Sequence, residues 1–300
     1  RTADTGSISA AADQLDMSPA AASAGLKRLE KQLAVELFIR STRRLRITAE
    51  GERYLLHCRQ ALASLEAGKS SLSAMSGEIS GELRLSVSSD LGRNVILPWL
   101  DEVMASHPAL SLQLSAGDSL SDFYLDRVDV ALRYGEPEDS SMVAFKIITT
   151  ERVICASPAY LRQHGTPSHP DELKQHNCLL YRLDGGVYDN WFFGGQNTGD
   201  TGNSQNNSRY KVKVSGNRTC NDADIVRRWA VAGQGITLKS RLDMAADLKT
   251  GRVVELLQDY PTDPVNIWLL CPSRKQVTPT ILLLRDLLRE KCQALLNVQT

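Results

Sequence analysis

Apolar residues in the first part of the chain recur at helical spacing, with a break. Ile8, Ala11, Ala12 and Leu15 make an i, i+3, i+4, i+7 stripe, which predicts a short amphipathic helix over residues 8–15. Asp16-Met17 interrupts the stripe. Ser18 then suits an N-cap, and Pro19 stands at the first helical position, where its missing N–H costs nothing. Ala22, Leu26, Leu29 and Leu33 mark one face of a second helix. Two short helices joined by a tight turn predict a helix-turn-helix. Next, apolar and polar residues alternate through Val35–Arg40 and Leu45–Thr48, on either side of Ser41-Thr42-Arg43-Arg44. That pattern predicts a small β-hairpin with an arginine-bearing tip, a wing.

Thr48 is a further N-cap candidate. No proline occurs from Ala49 to about Ser76, and Leu55, Cys58, Leu62, Leu65 and Leu72 fall on an a/d seam, although Lys69 interrupts it and Gly68 weakens it. So narrow a stripe on a long helix predicts pairing with a second copy. Gly77-Glu78-Ile79-Ser80-Gly81 reads as a linker. Beyond it the period switches repeatedly. Leu83, Leu85 and Val87 alternate as a strand, residues 93–106 read as a helix, and Leu110, Leu112 and Leu114 alternate again. Asp122–Arg127 reads as helix and Val128–Leu132 as a buried strand. This alternation predicts an α/β sheet of parallel strands. A second such unit runs from Pro158 to about Tyr260 and contains the polar stretch Gly194–Ser208, expected to be a surface loop. Val265–Leu270 closes the pattern as a strand, followed by a leucine-rich helix from Thr280. No internal repeat is visible.

Length and composition change this picture little. The 300 residues suit about two domains. No run of eighteen apolar residues occurs, so no membrane-spanning helix is expected. No signal peptide is visible in a sequence that begins at Arg1, and a cytoplasmic location is expected. Charge is more informative in its distribution than in its sum, which is zero. Lys27, Arg28, Lys31, Arg40, Arg43, Arg44, Arg46, Arg53 and Arg59 crowd into one short stretch, opposed by Glu30, Glu36, Glu50 and Glu52. A basic head on a neutral-to-acidic body suits a protein that grips phosphates at one end. The six cysteines form no C-x-x-C pair, so reduced and mostly buried thiols are expected.

The stretch Ser7-Ile8-Ser9-Ala10-Ala11-Ala12, Leu15, Ser18, Ala21-Ala22-Ser23, Leu26-Lys27, Leu29-Glu30, Leu33, Val35-Glu36-Leu37-Phe38, Arg40, Arg43-Arg44 and Thr48-Ala49-Glu50-Gly51 resembles the LysR-type transcriptional regulators in order and spacing. The resemblance continues through Asp129–Gly135, Ala156–Leu161 and Val231–Ile236. It implies an N-terminal all-α winged helix-turn-helix (residues 1–48) and a linker or dimerisation helix (49–80). A C-terminal α/β effector domain would follow, of two subdomains, periplasmic-binding-protein-like (type 2). Subdomain 1 would comprise 82–157 and 264–300, and subdomain 2 would comprise 158–263, with crossings near Ser157 and Pro261–Pro264. Homodimers or homotetramers are implied. So is a first helix before Thr5, roughly ten to fifteen residues of which precede this sequence, judged by what completes a three-helix motif. Many members carry Gln before the proline of the recognition helix and Arg or Gln after its serine. In this chain Pro19, Ala24 and Gly25 stand at those positions, so the usual bidentate base readers are missing.

For double-stranded DNA the candidate contacts are Ser18, Pro19, Ala20, Ser23, Ala24, Lys27, Arg28 and Lys31 of the recognition helix, and Arg43 and Arg44 of the wing. Alanine methyls suit thymine methyls, Ser23 can bond phosphate or base, and the cations suit phosphates. The wing arginines would reach the adjacent backbone or minor groove. Ligands of two-subdomain α/β folds sit at the carboxyl ends of strands. The strand ends here are Ser88-Ser89-Asp90, Gly117-Asp118-Ser119, Arg133-Tyr134, Tyr181-Arg182 and Cys220-Asn221-Asp222. The candidate effector contacts are therefore Ser88, Ser89, Asp90, Asp118, Ser119, Arg133, Tyr134, Tyr181, Arg182 and Asn221. Hydroxyls, a few cations and carboxylates fit a small polar metabolite, anionic in one reading.

The residues bear on other functions too. Gly117-Asp118-Ser119-Leu120 spells a short hydrolase-like motif, but no G-x-S-x-G elbow surrounds it. The five histidines show no H-E-x-x-H spacing, so no metal or cofactor is expected, and no catalysis. A solute-binding protein could share the α/β body but not the basic head. A redox sensor would need an exposed, acidic thiol, with Cys178 and Cys220 as candidates in one subdomain. The expectation is a sequence-specific transcriptional regulator modulated by an effector bound between the subdomains.

Overall fold

The structure is a computed structural model, and it describes residues 1–40, 45–75, 79–118, 128–137, 142–183, 186–194 and 210–297. The chain divides into two compact units, Arg1–Glu66 and Ala67–Thr300.

In the first unit, α1 (Thr2–Thr5) and α2 (Ile8–Asp13) precede α3 (Pro19–Leu33). The Ser7 side chain caps α2 by accepting from Ala10 N, and Ser18 caps α3 by accepting from Ala21 N at 3.2 Å. Asp16 takes a left-handed conformation (φ 52°) in the turn between α2 and α3. Ala11 and Ala12 of α2 are buried. Strands β1 (Phe38–Arg40) and β2 (Leu45–Ile47) pair antiparallel, Phe38 opposite Ile47, as the alternation predicted. Thr48 then caps the long helix α4 (Ala49–Met75), its Oγ1 accepting from Gly51 N at 2.9 Å. Gly51 is required there. A Cβ on it would lie 2.2 Å from the Leu37 carbonyl oxygen, so only glycine lets α4 start against the wing.

The second unit has two subdomains. In the first, a five-stranded sheet runs in the order β4 (Leu110–Ala116), β3 (Gly81–Val87), β5 (Val130–Tyr134), β15 (Val265–Cys271) and β6 (Val143–Thr150). Strands β3, β4 and β5 are parallel, whereas β15 runs antiparallel to both β5 and β6. The all-parallel expectation is therefore corrected to a mixed sheet, because apolar alternation reports a strand's faces but not its direction. Between β3 and β4 the chain is helical from Ser89 to Ser106: α5 (Ser89–Leu91), one wide π-type turn (Gly92–Ile96) and α6 (Leu97–Ser106). The expected helix over 93–106 thus begins four residues early, and Ser89 and Asp90 sit in its first turn rather than at a strand end. Gly92 permits this packing, since a Cβ there would meet the Val87 side chain at 2.6 Å. Leu85, Leu132, Ile267 and Leu269 of the sheet pack with Leu284 and Leu288 of the C-terminal helix α10.

In the second subdomain, β7 (Arg152–Ala156) is the centre of the antiparallel sheet β13 (Thr237–Ser240), β7, β14 (Val254–Leu256). The chain therefore leaves the first sheet at Glu151 rather than near Ser157; a strand's pairing partners are invisible in its own residues. Around this sheet lie α7 (Pro158–His164), the strands β8 (Leu180–Leu183), β9 (Gly186–Val187) and β12 (Thr219–Cys220) of one small sheet, and the pair β10 (Asn190–Phe193) and β11 (Tyr210–Lys213). Helices α8 (Ala223–Val231) and α9 (Arg241–Lys249) complete it, and α10 spans Pro279–Asn297 back in the first subdomain. Ile154, Leu173, Phe193, Val212 and Ile236 form the core. The readings for Asp122–Arg127 and for Gly195–Ser208 fall outside the described residues.

Candidate nucleic-acid interface and effector site

The partly buried face of α3 carries Ala22, Leu26, Leu29 and Leu33, the predicted stripe. Ser18, Pro19, Ala20, Ala24, Lys27, Arg28 and Lys31 are exposed on the helix or at its cap. Ser23 departs from the expectation: it is half-buried and already partnered within the chain, because it neighbours Ala22 and Leu26 on the inner side. Glu30 also has a structural task. Its Oε1 accepts from Leu37 N at 3.0 Å and Phe38 N at 3.2 Å, so this carboxylate anchors the start of the wing. Glu30 therefore leaves the basic face instead of neutralising it. Arg59 leaves that face too, since it pairs with Asp4 of α1. Arg43 and Arg44 lie outside the described residues. What remains on α3 is a cationic strip beside exposed methyls at the helix start, an arrangement that fits a phosphate-lined groove.

The predicted effector residues converge only in part. Ser88, Ser89 and Asp90 are buried at the start of the helix after β3. Asp118 follows β4, and its Oδ1 accepts from Ser89 N at 2.8 Å while its Oδ2 accepts from Ser89 Oγ at 2.7 Å. The same Oδ2 accepts from Ala223 N of α8, at 2.7 Å. One carboxylate thus receives N–H and O–H donors from both subdomains. Tyr181 joins it: burial first, then the adjacent Asp118 carboxylate to which it hydrogen-bonds, push its phenol well above the ordinary range. Arg133 is buried, donating to Ser86 Oγ at 2.6 Å and to the Leu132 carbonyl at 3.0 Å; burial lowers its pKa against the pull of Asp118 and Tyr181. Tyr134 donates to Asp243 Oδ1 at 2.6 Å. Two residues fall away from this group. Arg182 is exposed on the opposite face of β8 from Tyr181, as strand alternation requires, and Asn221 is exposed beside Cys220. Ser119, and with it the end of the Gly117–Leu120 segment, lies outside the described residues.

Several charged groups at the seam were not expected. Asp222 caps α8, accepting from Asp224 N and Ile225 N, and also pairs with Arg93 of the first subdomain at 3.0 Å. Burial opposes its charge, but donation by Arg93, Ile225 N and Ser89 outweighs burial and lowers its pKa. Asp224 accepts from Asn94 across the seam at 2.9 Å and from Arg228 at 2.8 Å. Arg227 reaches Asp247 at 2.6 Å and Asp90 at 3.9 Å, and Lys239 pairs with Asp90 and, at 3.6 Å, with Asp243. In sequence Lys239 stood out only as a lysine in a short, mostly apolar strand segment, alternating with Ile236 and Leu238. Nothing comparable marked Asp243 or Asp247, which lie on a helix of ordinary composition.

Two family descriptions match the chain. "Bacterial regulatory helix-turn-helix protein, lysR family" covers residues 1–52, and "LysR substrate binding domain" covers residues 76–293, most of the chain. The chain belongs to the LysR family of bacterial transcriptional regulators. This LysR-type regulator is 30% identical to the HTH-type transcriptional regulator DmlR of Escherichia coli K12, over 94% of its own length and 89% of the relative's. It is also 30% identical to the HTH-type transcriptional activator TtdR of the same organism, over 88% and 82% of the two chains. Among solved structures it is similar to CrgA, a LysR-type transcriptional regulator from Neisseria meningitidis, at 26% identity and a TM-score of 0.59, covering 98% of this chain and 95% of that one. The regulator's fold is accordingly a helix-turn-helix domain followed by a two-subdomain effector domain. DNA, a small-molecule effector and further copies of the chain are the partners of a regulator of this type. Among the described residues, no helix is long and apolar enough to cross a membrane.

Proposed function

We propose that this regulator holds operator DNA chiefly through Lys27, Arg28 and Lys31, with the methyls of Ala20 and Ala24 reading thymine and Ser18 and Pro19 framing the helix start. The exposed cationic strip of α3 supports this reading, because Glu30 is turned away to hold the wing. Arg43 and Arg44 would extend the grip along the backbone. Phosphate contacts then carry most of the affinity, and base readout is modest. The chain acts in the cytoplasm, where the DNA is.

The effector is a small anionic metabolite bound at the seam among Ser88, Ser89, Asp118, Arg133, Tyr134 and Tyr181. The observation that carries this is the bracket of Ser89 N, Ser89 Oγ and Ala223 N around the Asp118 carboxylate, donors from both subdomains that suit an anionic group. An effector taking those donors would alter how the subdomains meet, and so the spacing of DNA-binding units in an oligomer. Pairing through α4 fits the exposure of Leu62 (62%) and Leu65 (71%) on the expected seam. Regulation, not catalysis, is the activity: the Asp118 carboxylate already serves Ser89, Ala223 and Tyr181.

A gel shift with promoter DNA, run with a thermal-shift screen of small carboxylates, sulfonates and neutral metabolites, tests both parts. A true effector raises the melting temperature by mass action and changes the DNA complex. Stabilisation by neutral compounds alone would refute the anionic reading. Absence of any promoter-selective shift would refute the DNA reading.

A further inference from the structure

A second cluster at the seam has a charge count that does not balance. Asp90 stands on α5 and Tyr134 ends β5, both in the first subdomain, while Lys239 lies in β13 and Asp243 in the first turn of α9, both in the second. Asp90 is 1% exposed, Asp243 5% and Lys239 7%. The Lys239 ammonium contacts Asp90 Oδ2 closely, lies 3.6 Å from Asp243 Oδ2, and donates to the Ala223 carbonyl at 3.1 Å. Two buried carboxylates therefore share one ammonium. Asp90 has more donors, since Asn94 donates to its Oδ1 at 2.7 Å and Arg227 approaches at 3.9 Å, although burial outweighs them and raises its pKa above the ordinary carboxylate range. Asp243 has the Tyr134 hydroxyl and the distant share of Lys239. The remaining charged or titratable groups that bear on it are Asp118, after β4, and the Asp90 carboxylate itself, and both repel its charge. Cys155 of β7, on the same sheet face as Lys239, is a buried thiol whose pKa burial raises to about 12.

We propose that Asp90, Tyr134, Lys239 and Asp243 form a proton-operated latch between the two subdomains, in which protonation of Asp243 leaves a balanced Asp90–Lys239 pair and fastens the seam. This device goes beyond the effector reading and does not rest on it. Burial first, and the Asp90 charge second, raise the Asp243 pKa to about 7, against the opposing pull of Lys239 and Tyr134. When the seam opens, Asp243 gains water and returns toward the ordinary carboxylate range. The closed form therefore binds the proton more tightly. Closure is favoured as pH falls through about 7 toward 4, and that advantage is gone once pH rises above about 7. Within that window the ratio of closed to open forms changes by up to about tenfold per pH unit for one coupled proton.

Infrared difference spectra of the full chain between pH 5.5 and 8.5 test the protonation, and hydrogen exchange of segments 89–94 and 223–228, corrected for intrinsic rates, tests the latch. The expected result is a protonated-carboxyl band that titrates near neutrality and is absent from Asp243→Asn. Protection of both segments should weaken as pH rises in the wild type and stay high at all pH values in Asp243→Asn, which mimics the protonated form. Should Asp243→Asn fail to fold, Tyr134→Phe serves: loss of the hydroxyl that supports the ionised form moves the band's midpoint upward. No band in this range, a band that survives in Asp243→Asn, an unmoved midpoint in Tyr134→Phe, or seam protection indifferent to pH would each overturn the latch.

Discussion

Asp247→Ala removes the most completely buried carboxylate of the seam region. Asp247 is 0% exposed, and its Oδ2 lies 2.6 Å from Arg227 Nε, while Oδ1 lies 2.7 Å from Arg252 Nη2. Arg252 is half exposed and can turn to water when its partner goes. Arg227 cannot; its side chain is about nine-tenths buried, and among the described residues it keeps Asn94 Oδ1, which accepts from its Nη1 at 3.2 Å, and the carboxylates of Asp224 at 3.7 Å and Asp90 at 3.9 Å. Breaking a buried pair from one side typically costs about 3–5 kcal/mol, because a charge is left in a poorly polarisable site. The two substitute carboxylates hold the expected cost to the low end, about 3 kcal/mol. For a unit the size of Ala67–Thr300, each kcal/mol moves the melting temperature by roughly 2–4 °C, so a fall of roughly 6–12 °C is expected. Differential scanning calorimetry at low and high salt is the assay. The loss should persist in salt, which screens buried pairs weakly. Arg252→Ala should cost less than Asp247→Ala, since Arg252 is half exposed and Asp247 keeps Arg227. The double variant Asp247→Leu/Arg227→Met should melt above Asp247→Ala, since it leaves no unpaired buried guanidinium, while Asp90 keeps Lys239 and Asp224 keeps Arg228. A shift below about 2 °C for Asp247→Ala, or a double variant that loses more than the two singles together, would refute the reasoning.

Three other outcomes are expected. Lys27→Ala and Arg28→Ala should each weaken operator binding about equally across sequences and reduce the slope of log affinity against log salt by about 1, read by fluorescence anisotropy; a change in base preference without a change in slope contradicts phosphate contact. Gly51→Ala gains about 1 kcal/mol of helix propensity but sets a Cβ against the Leu37 carbonyl, which also accepts from Thr48 N and cannot retreat without lifting the wing. The N-terminal unit should melt roughly 5–10 °C lower, and an unchanged melt would show that the wing can shift freely. In thiol titration at pH 8, Cys58 and Cys220, the two half-buried cysteines, should react before the rest. Burial pushes the Cys155, Cys178 and Cys292 thiols up to about 12 and Cys271 to about 11, so these stay protonated and unreactive until denaturant is added. Early labelling of Cys178 would reopen the redox reading.

The family and most elements were legible in the residues. Ser18-Pro19 starts α3, Thr48 caps α4, and the apolar periods of 3.6 and 2 mark α2, α3, α4, β3, β4, β5 and β15 near their places. These signals are local: capping and amphipathicity act within one or two turns, so neighbouring residues carry them whole. The basic surface of α3 was legible for the same reason, although its true extent was not. Glu30 looked like a counter-charge and is a wing anchor, a role set by Leu37 and Phe38 beyond the helix.

Other features depended on distant partners. Strand direction in the five-stranded sheet, the crossing at Glu151, and the orientations of Ser23 and Arg182 depend on which segment packs beside which. So does the seam. Asp90, Asp118, Asp222, Asp243 and Asp247 are ordinary aspartates in sequence, spread among more soluble-looking neighbours. Packing within the second subdomain strips water from Asp247, the meeting of the two subdomains does so for the others, and each comes to depend on a particular cation, hydroxyl or backbone N–H. Desolvation is a property of the assembled surroundings. Local residue patterns suffice to mark this protein as a LysR-type regulator with a basic recognition helix; which carboxylates face one another across the effector domain follows from tertiary packing, because burial and distant partners set their charge.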